Sequence, residues 1–140
     1  MKYESIDSKL FIKNRANFSR EMKKNSIAFF NSNDIYPVSA DSTLPFEQHR
    51  DIFYLSGIDQ EESILVLCPD NPNPDLREIL FLKETNDHIA VWEGPKINKT
   101  QALEISGIKT VFWLKDLEKL VDKLVSTCHN IYFNKNEHYR

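Results

Sequence analysis

Only three glycines occur among the 140 residues: Gly57, Gly94 and Gly107. Each stands alone beside turn-forming residues, so the glycine-rich loops that cradle nucleotide phosphates are excluded. There is no Gly-x-Ser-x-Gly nucleophile elbow and no His-Glu-x-x-His pair, which removes two common hydrolase devices. No apolar run approaches the ~20 residues that span a bilayer, so no membrane partner is expected. Met1 to Lys9 is polar and charged rather than signal-like. Eighteen basic residues face 21 acidic ones, for a net charge of -3. Lys23-Lys24 and Lys96 with Lys99 are too sparse for a nucleic-acid surface. The two cysteines, Cys68 and Cys128, form no Cys-x-x-Cys motif and each ends an apolar run. They are expected as separate buried thiols in a cytoplasmic protein rather than as a disulfide.

What is present is ordinary globular material, with 41% hydrophobic and 28% charged residues, enough for one domain. Ser5 to Ser8 offers helix caps. Phe11, Phe18 and Met22 then recur at helical spacing up to Lys24. Ser26 to Phe30 reads as a buried strand, and Ile35 to Ser39 as an extended piece with Pro37 at an edge. Pro45 to Gly57 turns from the charged run Glu47 to Asp51 into Ile52-Phe53-Tyr54-Leu55. Its aromatic residues predict a central strand stopped at Gly57.

Ser63 to Cys68 is apolar without alternation, which suits a strand covered on both faces. Pro69 to Pro74 is an irregular loop, and Glu78 to Lys83 pairs back as a hairpin. Ile89 to Trp92 reads as a short extended piece ending at Glu93-Gly94-Pro95. Asn98 and Gln101 form a capping box, and Gly107 stops that helix. Thr110 to Trp113 is a strand, Asp116 caps a helix with Leu117, Leu120, Val121, Leu124 and Val125 on one face, and Asn130 to Phe133 is the last strand. No internal repeat stands out. The order predicts an α/β domain: a mixed sheet of about five to six strands flanked by helices, with antiparallel hairpins in the middle and parallel pairing from the last two helices.

Candidate chemistry is thin. His49, His88, His129 and His138 are scattered at loops and element ends, without metal-ligand spacing. Glu61-Glu62 reads as a solvated turn. His49, Arg50 and Asp51 form the densest charged group, with Gln48 just before them. That group either contacts a carboxylate or a neighbouring domain, or is a loop whose Arg50 and Asp51 pair locally. Trp92 is either an exposed binding residue or packs on the sheet edge. No residue is expected to be catalytic, and none to bind metal.

Arg15, Phe18 and Met22, the strand Ser26 to Phe30, the run Gln48-x-x-Asp51-x-Phe53-Tyr54-Leu55-Ser56-Gly57, the strand Leu80-Phe81-Leu82, Trp92-Glu93-Gly94 and Gly107-Ile108 together resemble the N-terminal domain of aminopeptidase P. This family of Xaa-Pro aminopeptidases is related to prolidase and creatinase. In place of the usual Asp-Phe-Tyr-Tyr-Leu, Ile52 intervenes here and His49-Arg50 replaces smaller polar residues. The resemblance covers residues 1–140 and implies a non-catalytic domain, with a C-terminal pita-bread metallopeptidase domain lying outside the chain. It implies a parent that releases the residue before proline, with a dinuclear manganese centre held by that second domain. The implied partners are the catalytic domain itself, proline-containing peptides through it, and further copies in a dimer or tetramer. Trp92, Gln48, His49, Arg50 and Asp51 are then the expected cleft or interface residues. The alternative is a standalone binding or scaffold module with the same fold.

Overall fold

The structure is a computed structural model that describes residues 6–32, 37–39, 42–43 and 50–133. Helix α1 (Ser8–Glu21) opens at Asp7, whose side chain accepts a hydrogen bond from Lys9 N at 2.9 Å. Strand β1 (Ser26–Asn31) follows, then a two-stranded ribbon of β2 (Pro37–Ser39) and β3 (Ser42–Thr43). Helix α2 (Arg50–Ser56) leads to β4 (Ile64–Leu67), a single 3-10 turn over Pro74–Leu76, and β5 (Glu78–Leu82). Two short helices, α3 (Asp87–Glu93) and α4 (Lys99–Ser106), precede β6 (Thr110–Trp113). Helix α5 (Leu117–Val125) and β7 (Asn130–Phe133) complete the described residues.

The main sheet has the order β6-β5-β4-β1-β7. β1 with β4 and β4 with β5 are antiparallel, while β5 with β6 and β1 with β7 are parallel. The mixed sheet expected from the sequence is therefore present. Because successive side chains of a strand point to opposite faces, its apolar strands feed two cores. Ala28, Phe30, Leu65, Leu67, Leu80 and Leu82 face one side, against Ile52 and Leu55 of α2, Ala102 of α4 and Phe18 of α1. Ile27, Phe29, Val66, Ile79 and Phe81 face the other, against Leu124 and the rest of the α5 stripe. Helix α5 carries the chain from the β6 edge to the β7 edge across this second face.

Two stretches differ from the sequence expectation. Ile52 to Leu55 is not a strand but the body of helix α2. Ile52, Leu55 and Ser56 are buried while Tyr54 is 57% exposed, which is a helical rather than an alternating pattern. A four-residue apolar run cannot by itself separate the two periods, and packing on α1 overrides the β preference of Phe53 and Tyr54. Ile89 to Trp92 is likewise helical, because Asn86 caps α3 by accepting from Ile89 N at 2.8 Å. A third detail also changes. Asp116 makes no side-chain cap, and a 3-10 turn over Leu114–Asp116 runs directly into α5.

Candidate functional site

The first face is built around helix ends. Asn14 Nδ2 donates to Tyr54 O at 2.8 Å and Arg15 Nη1 donates to Leu55 O at 2.9 Å. These are carbonyls of the last turn of α2, which have no partner within their own helix. Arg15 is fully buried, and its Nε forms an ion pair with Glu78 Oε2 at 3.2 Å. The Ser56-Gly57-Ile58 end of α2 recurs as Ser106-Gly107-Ile108 at the end of α4. In each, the serine hydroxyl donates to the carbonyl four residues back at 2.6 Å. The same oxygen accepts from the isoleucine N–H, at 3.2 Å in the first and 3.0 Å in the second. Gly57 and Gly107 adopt φ values of 74° and 78°, the left-handed region that glycine takes without strain. Both press on α1: a Cβ at Gly57 would meet the Phe11 ring at 2.5 Å, and one at Gly107 would meet Ile12 Cδ1 at 2.6 Å.

A different arrangement surrounds Trp92. No residue of α3 is buried, and Val91 and Trp92 are 77% and 79% exposed. Trp92 is thus presented to the surface rather than packed on the sheet edge. Ile89 and Ala90 are half-buried, and an ion pair also reaches this helix. Lys83 Nζ lies 2.7 Å from Glu93 Oε1 and 3.5 Å from Glu62 Oε2. The Glu93 hydrogen bond, then the Glu62 charge, push the Lys83 ammonium above its ordinary range. On the far side of Gly94, Lys96 Nζ donates to Glu61 Oε1 at 2.6 Å, and Ile97 N donates to Gln60 Oε1 at 2.8 Å. Burial pushes the Glu61 carboxyl up, but the Lys96 hydrogen bond, a backbone hydrogen bond and the Lys96 and Lys83 charges together outweigh it and hold the group below its ordinary value. The acidic turn 59–62 is therefore the clasp of the α3–α4 link as well as a solvated surface.

The remaining sequence candidates separate. Arg50 and Asp51 lie exposed in the first turn of α2, Asp51 where a negative charge favours a helix start. Gln48 and His49 fall outside the described residues, as does His138. His88 is exposed on α3, and His129 is exposed just before β7. Among the described residues no three His, Cys, Asp or Glu side chains gather as metal ligands. No described helix is long and apolar enough to cross a membrane. Sequence reasoning missed Val91, whose exposure follows only from the helical reading of α3. It also missed the buried role of Arg15, which a charged residue inside an otherwise amphipathic stripe could have signalled. Finally, Cys68 and Cys128, expected apart, lie with their sulfurs 3.5 Å from each other.

A mixed sheet with helices on both faces, two helix ends closed against α1 and one helix with Val91 and Trp92 exposed define an α/β domain. The family model for the aminopeptidase P N-terminal domain matches residues 11–132, and the chain belongs to that family. Xaa-Pro aminopeptidase 3 of Homo sapiens is 27% identical over 105 residues, covering 74% of this chain and 21% of the relative. Intermediate cleaving peptidase 55 of Saccharomyces cerevisiae is 28% identical over 127 residues, covering 89% and 24%. Among solved structures, the aminopeptidase PepP of Pseudomonas aeruginosa superposes with a TM-score of 0.85 at 21% identity, over 96% of this chain and 30% of that one. The chain thus spans about a fifth to just under a third of the length of these relatives.

Proposed function

We propose that this chain is the non-catalytic N-terminal domain of a cytoplasmic Xaa-Pro aminopeptidase, a hydrolase that releases the first residue of peptides with proline second. The supporting observation is the family match over residues 11–132, together with relatives that carry the name Xaa-Pro aminopeptidase and are several times longer. The described residues offer no set of metal ligands. In this reading a dinuclear manganese centre belongs to a C-terminal catalytic domain, where a metal would make hydroxide available near neutral pH. The share of this domain is to wall the substrate cleft and to support a dimer or tetramer. Trp92, with Val91 beside it, is the anchor of the surface that meets the catalytic domain or another subunit. Aromatic side chains that desolvate at a contact carry much of its energy. Gln48, His49, Arg50 and Asp51 form a second rim on this proposal.

The test is to read the source gene beyond Arg140 and to assay its complete product. With manganese, that product should release the first residue of an Xaa-Pro peptide, and residues 1–140 alone should not. Release by residues 1–140 alone overturns the non-catalytic assignment. A stop codon directly after Arg140 favours a standalone module of the same fold.

A further inference from the structure

The second face of the sheet holds a pair of thiols that the proposed activity does not use. Cys68 follows β4 and is 2% exposed, and Cys128 follows α5 and is half-buried. They are 60 residues apart in sequence, yet their sulfurs sit 3.5 Å from each other. Both backbones are held from either side. Cys68 N donates to Arg77 O at 2.8 Å, and Cys68 O accepts from Asn71 N at 3.1 Å. Cys128 N donates to Val125 O at 3.0 Å, and the next residue, His129, donates to Asn25 O at 2.6 Å. The thiols therefore meet because the fold brings two fixed chain segments together, α5 returning to the sheet and β4 leaving it. A disulfide needs the sulfurs to close from 3.5 Å to about 2.05 Å.

We propose that Cys68 and Cys128 form a reversible intramolecular disulfide, a modification site that closes when the protein meets a small-molecule disulfide such as oxidised glutathione. Cys128, the more exposed thiol, reacts first. Its thiolate attacks one glutathione sulfur, the S–S bond breaks, and the second glutathione leaves with the electron pair as a thiolate. Cys68 then attacks Cys128 Sγ, expels the first glutathione as a thiolate, and gives up its own proton. Two protein thiols are oxidised and one glutathione disulfide is reduced to two thiols, which take up the two protons. Burial, then the neighbouring Cys128, push the Cys68 thiol up to about 12, so the second step is the slow one. The bond joins β4 to the α5–β7 return across a long stretch of chain and leaves the α3 surface untouched.

The experiment is to incubate the protein with oxidised glutathione, quench with an alkylating agent and weigh the intact chain. The expected product is a monomer lighter by two hydrogens, restored by dithiothreitol. Its melting temperature should exceed that of the reduced protein by roughly 5–15 °C, as for a disulfide closing a long loop. In Cys68→Ala the reaction should stop at one glutathione adduct on Cys128, and in Cys128→Ser the covered Cys68 should stay free. A wild type that stops at the adduct, links into covalent dimers or keeps both thiols overturns the proposal. A melting temperature that falls on oxidation also overturns it, because the fold would then have to distort to close the bond.

Discussion

Three helices of this domain end at a glycine with positive φ, and they end differently. Gly57 and Gly107 close α2 and α4 against α1, with side chains where a Cβ would go. Gly94 closes α3 with φ 85°, but a Cβ there would meet nothing within 4 Å. The first two ends also carry a serine that satisfies the turn and an isoleucine driven into the core. The Gly94 end carries neither, and the helix before it displays Val91 and Trp92 to solvent. The contrast separates two uses of one residue type. On the first face glycine permits close packing, and at α3 it only turns the chain. The Leu55-Ser56-Gly57 end of α2 is therefore an internal joint, whereas α3 keeps Val91 and Trp92 at the surface.

The sharpest way to break this comparison is to add one methyl group at each site. Gly57→Ala should cost about 3–5 kcal/mol, combining the strain of left-handed backbone with overpacking against a buried ring. Phe11 is 3% exposed and has no room to withdraw. Gly107→Ala should cost less, because Ile12 is 44% exposed and can swing aside. Gly94→Ala should cost only the backbone strain, about 1–2 kcal/mol. Urea midpoints of the three variants check the order. Equal losses at Gly57 and Gly94 would remove the distinction.

Arg15 tests the same joint from the other side. Arg15→Met keeps the length of the side chain but removes the donor to Leu55 O and the partner of Glu78. The loss should be about 2–4 kcal/mol, since a buried carbonyl is left unsatisfied. The released Glu78 is 38% exposed, which lets water recover part of the lost ion pair. A loss under about 1 kcal/mol would place the hold on α2 in its apolar contacts instead.

These joints also show what a sequence makes legible. The β4–β5 hairpin could be read because both strands are apolar on both faces and a proline-rich loop separates them. The α4 cap could be read because Asn98 and Gln101 satisfy each other locally, which the observed bonds at 2.9 and 2.8 Å reproduce. Helices α2 and α3 could not. Each is seven residues long, and each is helical because of what it docks on or which side chain caps it, not because of its own periodicity. The Arg15 joint and the Cys68–Cys128 contact are long-range facts, set by the sheet order and invisible to local pattern. For the candidate surface, Trp92 was legible as a residue, but its exposure depended on the helix that the sequence reading missed.

Trp92→Ala probes the open side of the comparison. Its effect on the stability of the domain should stay within about 0.5 kcal/mol, as for other exposed positions. In the complete protein the same change should lower Xaa-Pro peptidase activity or shift the oligomer on a sizing column. A large drop in the melting temperature of the isolated domain would instead place Trp92 in the packing and dissolve the contrast with Gly57.

A further small effect concerns the clasp of the α3–α4 link. Glu61 has a folded-state pKa below its ordinary 4.5. The stability it contributes is therefore present above that ordinary value and lost as the pH falls through the lower folded value. Glu61→Gln keeps the shape but removes the charge facing Lys96 at 2.6 Å. At about pH 7 the variant should be less stable by under about 1 kcal/mol, and the difference should shrink as the pH falls below the ordinary carboxyl value. Urea midpoints across a falling pH series measure both. The α3–α4 link should loosen before the first face does, so amide exchange at Lys96 and Ile97 should speed up while that at Leu65 and Leu80 stays unchanged. Faster exchange at Leu65 would mean that the clasp and the core open as one unit, and α3 would then no longer be a separable surface.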